Sequence, residues 1–176
     1  FLIGEESFKS DLDFYTDCLS KDNELRLISQ IYFVSGAGAD EVINVVSEEK
    51  STDIFAIFGE NSGVTGVSSE MEFITYLKNI CEGNAFAVPT VKIVEEDDKK
   101  KIVPEGYAIL DGGFKGYIEA DLARGYNLVT KTPAGSMINN QTEEGRSESR
   151  LVENSNMGTS FDFENGRMKK ININVR

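Results

Sequence analysis

The stretch that decides the fold is residues 106–126, GYAILDGGFKGYIEADLARGY. Small and branched residues run up to Asp111-Gly112-Gly113, a second short strand follows as FKGYI, and the segment closes on a charged run and a glycine. Glycine reaches positive φ at little steric cost, so Asp111-Gly112-Gly113 predicts a tight hairpin. Gly116, inside the second strand, predicts a bulge or the close approach of another backbone. EADLARG predicts a helix of about two turns at most, stopped by Gly125. Glu119 and Asp121 are the nearest approach to a catalytic carboxylate pair. Acids at a helix start complement the helix dipole, so a structural role is expected of them.

Upstream, residues 85–94 (AFAVPTVKIV) and 102–110 (IVPEGYAIL) read as strands joined by DDKKK at 97–101, a basic run beside Glu95 and Glu96 that fits a solvated hairpin tip. Pro89 and Pro104 cannot donate to a ladder and are expected at strand ends or on an edge. Before them, Ser69 and Glu72 have the spacing of a capping box, Phe73, Ile74, Leu77, Ile80 and Cys81 form an apolar stripe, and Gly83 is placed for a left-handed helix end. Residues 51–58 (STDIFAIF) read as a short helix and 59–66 as a loop. Residues 25–34 (LRLISQIYFV) read as a strand, buried on both faces near its end. SGAGADE then turns into a helix starting near Ala39. Phe8, Leu12, Tyr15 and Leu19 give residues 5–20 a helical apolar stripe.

Strand, glycine turn and helix over residues 31–46 invite a phosphate-loop reading, because amides at a helix start attract anions. The third glycine of a dinucleotide fingerprint and the Lys-Ser/Thr of a P-loop are both missing, and Asp40 and Glu41 place negative charge where a phosphate would sit. A plain strand-to-helix turn is the expectation, with a ligand loop as the alternative.

Downstream, residues 131–150 are polar and turn-rich and are read as a linker. The last segment, FDFENGRMKKININV, is a hairpin around Asn165-Gly166. Phe161 and Phe163 must share a face with Ile171, Ile173 and Val175, and side chains alternate with period two. A three-residue loop satisfies this and a two-residue loop does not, unless a bulge intervenes, so a three-residue loop is predicted.

The chain has 176 residues, 40% of them apolar, enough for a core. No apolar run approaches the ~18 residues that span a bilayer, nothing resembles a signal segment, and the piece is expected to be soluble. It opens on FLIG, like the end of a strand, and closes after ININV, which suggests a piece trimmed from a longer protein with any leader or anchor upstream. A net charge of −12 argues against nucleic-acid binding. Histidine is absent, which removes the usual general base, the commonest metal ligand and Ser-His or Cys-His nucleophiles. Cys18 and Cys81 lie on the apolar sides of their helices and are expected as buried free thiols, with a disulfide as the alternative. No catalytic, cofactor-binding or metal-binding residue is assigned, and ligand-binding residues are left open. A glycosidase working through paired acids is disfavoured by the absence of Trp for sugar stacking and of a facing acid pair.

Four segments in order, IGEESFKSDLDFYTDCLSKDNELR with IYFVSGAGADEVINVV, EFITYLKNICEGNAFAVPTV, AILDGGFKGYIEADLARGYNLV and FDFENGRMKKININV, resemble the C subunits of nutrient germinant receptors, the Ger(x)C spore-germination lipoproteins of endospore-forming bacteria. The resemblance covers nearly the whole chain and departs at AILDGGFKG, where the family more often has Phe-Lys and a longer turn. It implies an α+β fold with mixed or antiparallel sheets and packed helices, a fragment of a multi-domain protein. Residues 1–68 would be the C-terminal part of a first domain, 69–144 a helix plus a small β-rich middle domain, and 145–176 the opening hairpin of a third. It further implies a non-enzymatic subunit, lipid-anchored on the outer face of the spore inner membrane beside integral-membrane partners of the A and B type, with no cofactor. The alternative is an extracytoplasmic solute-binding module that captures the nutrient itself.

Overall fold

A computed structural model describes residues 1–22, 26–49, 67–130, 136–141, 147–152, 157–164 and 167–175. Strand β1 (Leu2–Ile3) leads into helices α1 (Glu5–Ser10) and α2 (Leu12–Ser20), then β2 (Tyr32–Ser35) and α3 (Ala39–Glu49). Helix α4 (Phe73–Glu82) precedes β3 (Phe86–Glu96), β4 (Lys99–Leu110), β5 (Phe114–Glu119) and α5 (Ala120–Thr130). These five strands form one sheet in the order β1-β2-β3-β4-β5, with β1, β2 and β3 parallel and the β3–β4–β5 meander antiparallel. Two further antiparallel ribbons pair β6 (Ser136–Gln141) with β7 (Ser147–Val152), and β8 (Met157–Glu164) with β9 (Arg167–Val175). The α+β expectation with mixed sheets and packed helices holds.

Alternation along the strands splits the core between two faces of the sheet. Phe33, Val88, Ala108 and Leu110 meet Phe8 and Leu12 of α1–α2 and Phe73 and Tyr76 of α4. The intervening Tyr32, Val34 and Val91 meet Val42 and Val45 of α3, while Ala87 and Tyr107 meet Ala123 of α5. Tyr32, Phe33 and Val34 are therefore all buried, as the sequence predicts for the end of that strand. Rings of Phe8 and Phe33 stack at 4.5 Å with an interplanar angle of 13°, an arrangement that adds about 0.5–1.5 kcal/mol beyond area burial.

Several expectations are met closely. Asp97 and Asp98 take positive φ between Glu96 and Lys99, a two-residue tip that suits the twist of a hairpin. Gly112 and Gly113, both at positive φ, close the β4–β5 turn. Ile109 pairs Gly116 but Leu110 pairs Phe114, so the predicted bulge is present with Lys115 as its extra residue. Gly83 ends α4 in the left-handed conformation, φ 66°.

Others are corrected. Asp11, at φ −136° and ψ 35°, breaks the helix expected over residues 5–20 into α1 and α2, and Thr16 rather than Tyr15 then faces the core. The strand expected from residue 25 begins only at Tyr32. The carbonyls of Leu27 and Ser29 instead accept from the N–H groups of Ile74 and Phe73, both at 2.9 Å, supplying partners for the first turn of α4. That is why the capping box fails: Glu72 is the N-cap, and it makes no side-chain cap bond. Gly125 does not stop α5, which runs on to Thr130. Its continuation is anchored where the Tyr107 hydroxyl donates to Asn127 Oδ1 at 2.6 Å. Cys18 and Cys81 are free and exposed, not buried, because Thr16 and Tyr76 take the inward positions of α2 and α4 and share a 2.7 Å hydrogen bond.

Pro89 and Pro104 lie within β3 and β4 rather than at their ends. Each nevertheless has a neighbour on one side alone: the β2 ladder starts at Thr90 and the β5 ladder at Gly106. The linker read over residues 131–150 holds strands β6 and β7, and the expected boundary at 144/145 falls between these paired strands. The expected boundary at 68/69 lies between β2 and β3, which are neighbours in one sheet. Glu164 pairs Arg167, so the predicted three-residue loop is overturned by a two-residue connection. A bulge at Lys169 restores the register and pairs Phe161 with Ile171, which puts the apolar positions on one face as the argument required. The helix expected over residues 51–58 and the loop over 59–66 lie outside the described residues.

Candidate functional site

Parallel strands β1 and β2 end side by side, and their chains depart to opposite faces of the sheet: Gly4 leads into α1 on one, residues 36–38 into α3 on the other. Such a divergence opens a crevice at the carboxyl ends of the strands, the usual ligand position in open α/β sheets. A cleft of about 600 Å³ lies there, open to solvent and walled by residues 4–7 and 36–41, with four acids among them: Glu5, Glu6, Asp40 and Glu41. A shallower hollow of about 400 Å³ adjoins it, reaching Ser35, Lys92 and Glu105.

Two of the loop's amides donate to the chain's own carboxylates. Gly36 N–H donates to Glu5 Oε2 at 2.8 Å, Gly38 N–H donates to Glu41 Oε1 at 3.1 Å, and Glu5 N–H donates to Ala37 O at 3.1 Å. Gly4 packs so closely that a Cβ there would lie 3.0 Å from Ala39 N. The other Glu5 oxygen accepts from the Tyr117 hydroxyl at 2.6 Å and pairs with Lys9, whose ammonium sits 5.2 Å from the Phe114 ring centroid and 5.3 Å from that of Tyr117. The hydrogen bonds from Lys9 and then Tyr117 hold the Glu5 carboxyl below its ordinary value of 4.5. Burial, followed by the bond to Glu5, pushes the Tyr117 hydroxyl up. An acid held ionised in this way suits neither proton donation near neutrality nor a neighbouring phosphate. The SGAGADE loop is thus a strand-to-helix turn in which the amides of Gly36 and Gly38 bind the chain's own carboxylates.

In the adjoining hollow, Thr90 pairs Gly106 and Val91 pairs Pro104, which leaves Glu105 as the extra residue of a bulge in β4. One of its oxygens binds Lys92 Nζ at 2.7 Å, and the other, Oε2, is buried with no hydrogen-bond partner among the described residues. Glu119 ends β5 opposite Gly106 and Asp121 lies in the first turn of α5, both exposed and away from the cleft lining. Among the described residues no group of three or more acids and cysteines is placed to hold a metal ion. Sequence reasoning missed Glu5 as the centre of this cluster. Its pairing with Lys9 is legible as an i,i+4 helix pair, whereas Tyr117 is 112 positions away and has no local signal.

No family model matches the chain and no curated relative does. Among solved structures it is similar to the crystal structure of the GerBC protein, with a TM-score of 0.74 at 19% identity. The likeness covers 99% of this chain and 50% of that one, so the chain spans about half the length of the protein it matches. At that identity the likeness is one of fold, and the chain has a GerBC-like fold.

Proposed function

We propose that this chain is part of the non-enzymatic C subunit of a nutrient germinant receptor, acting in spore germination through protein–protein contacts. The observation that carries the reading is the GerBC-like fold over 99% of the chain, reached independently of the four ordered sequence segments that resemble the same family. The reading extends to a lipid anchor on the outer face of the spore inner membrane, to integral-membrane partners of the A and B type, and to the β8–β9 ribbon as the opening of a further domain. An ionised Glu5 and a cleft where the amides of Gly36 and Gly38 already bind the chain's own carboxylates support a scaffold rather than a catalyst. The test is a pull-down of the full-length, lipidated protein from spore membranes. Co-purification of two integral receptor subunits is expected, and recovery of the protein without them would reject the reading.

A solute-binding module is the second reading, favoured by one observation: the cleft stands at the carboxyl ends of β1 and β2, where ligands of α/β sheets bind. Calorimetric titration with candidate nutrients separates the two. Saturable heat lost on replacing Gly36 with a bulky residue selects the module, and no heat selects the scaffold.

A further inference from the structure

Helix α2 turns Leu12, Thr16 and Leu19 toward the core. At 100° per residue the opposite pole is occupied by Phe14 and, one turn on, by Cys18. Phe14 is 61% exposed and Tyr15 on its flank 39%, with their rings edge-to-face at 5.5 Å. A phenylalanine at the solvent pole contributes nothing to the core, and pairing with a second exposed aromatic makes a patch rather than an isolated surface residue. Leu27, Ile28 and Ile74 are exposed beside the start of α4, and Ile43 and Leu122 on the other side of the sheet.

Charge around the patch is one-sided. Asp11, Asp13 and Asp17 are exposed beside it, residues 12–20 contain no Lys or Arg, and the following Lys21 is tied to Asp17. We propose that this face of α2 docks a basic, amphipathic segment of another protein, whose apolar side chains cover Phe14 and Tyr15 while its Lys and Arg meet Asp11 and Asp13. Cations over the two rings and pairing at an acidic rim follow from the same geometry. Charge decides against other occupants: a second copy carries the same −12 and in an isologous contact would set these aspartates against themselves, and an anionic lipid surface repels them too. The inference rests on this helix and stands whether or not the receptor reading does.

The exposed thiols supply the test. A Cys81→Ser chain carrying an environment-sensitive fluorophore on Cys18 is titrated with a synthetic Lys/Leu amphipathic peptide, and with a Glu/Leu peptide of equal length. A saturable blue shift is expected with the basic peptide alone, about tenfold weaker in Phe14→Ala, as for loss of an aromatic anchor. The same label on Cys81 in a Cys18→Ser chain is expected to stay silent. Equal affinity in Phe14→Ala, an equal response at Cys81, or binding of the acidic peptide overturns the proposal. So does a dimer, or adhesion to anionic vesicles, that Phe14→Ala abolishes. Phe14 is outside the core, so an unchanged melting temperature verifies that the variant is folded.

Discussion

Gly106 has no room for a side chain: at φ +123° a Cβ would lie 2.1 Å from the carbonyl oxygen of Ile118 in the neighbouring strand. Backbone on one side and a disfavoured φ on the other leave no rotamer or small shift that relieves the contact. Gly106→Ala is expected to cost more than about 3 kcal/mol and to yield little folded protein; near-normal expression and melting would show that β4 and β5 are not this close. Glu5 acts by charge. Its folded pKa lies below the unfolded one, so its contribution is complete above the ordinary value of 4.5 and is lost as the pH falls through the folded value. Its carboxylate is partly exposed, and screening limits the contribution to about 1–2 kcal/mol at neutral pH. Urea midpoints of wild type and Glu5→Gln should therefore differ by a constant amount from about pH 8 to about pH 5 and converge as the pH falls through the folded value. A difference that persists in acid would assign the role of Glu5 to shape.

Among the elements, α5 separates what the sequence states from what it withholds. Gly125 reads as a stop, yet it lies mid-helix with φ outside the left-handed region and with none of the described residues within 4 Å of where a Cβ would stand. Gly125→Ala is accordingly expected to stabilise by about 0.5–1 kcal/mol, visible as a raised thermal midpoint; a lower one would mean that the glycine fits a conformation only it can adopt. The helix continues because Asn127, 1% exposed, meets Tyr107 across the core, a contact no local pattern announces. The same division runs through the chain. Turns fixed by backbone chemistry, at Asp111-Gly112-Gly113, Asp97-Asp98 and Gly83, were legible in the residues themselves. Elements fixed by distant partners were not: Leu27 and Ser29 look like strand residues but cap α4 with their carbonyls, and while Phe73, Leu77 and Ile80 of the stripe pack on the core, Ile74 and Cys81 face outward and Tyr76, bonded to Thr16, is buried. In the cleft, the acids beside the SGAGADE loop were readable as a barrier to phosphate, whereas the use of Glu5 to bind the Gly36 amide required the fold.

At the scale of the molecule, the parallel pairing of β2 with β3 joins residues 1–49 and 67–130 in one sheet. Val88, Ala108 and Leu110 are covered by Phe8, Leu12 and Phe33, and Val91 and Ile102 by Val42 and Val45. A cut at the 68/69 boundary would strip these contacts from both faces of the meander at once. Burial of each large apolar side chain is worth about 1.5–3 kcal/mol, so losing five such partners costs as much as the roughly 5–15 kcal/mol by which a domain is stable. Residues 69–176 expressed alone should then show poor amide dispersion, bind a hydrophobic dye and unfold without a cooperative transition, although α4, α5 and the β3–β4–β5 strands are all present in the fragment. Adding residues 1–68 in trans should restore dispersion if the two pieces associate, because the missing faces are then supplied without a covalent link. A dispersed spectrum and a sharp melt from residues 69–176 by themselves would instead establish the middle segment as a domain in its own right, with β1 and β2 an addition to its edge.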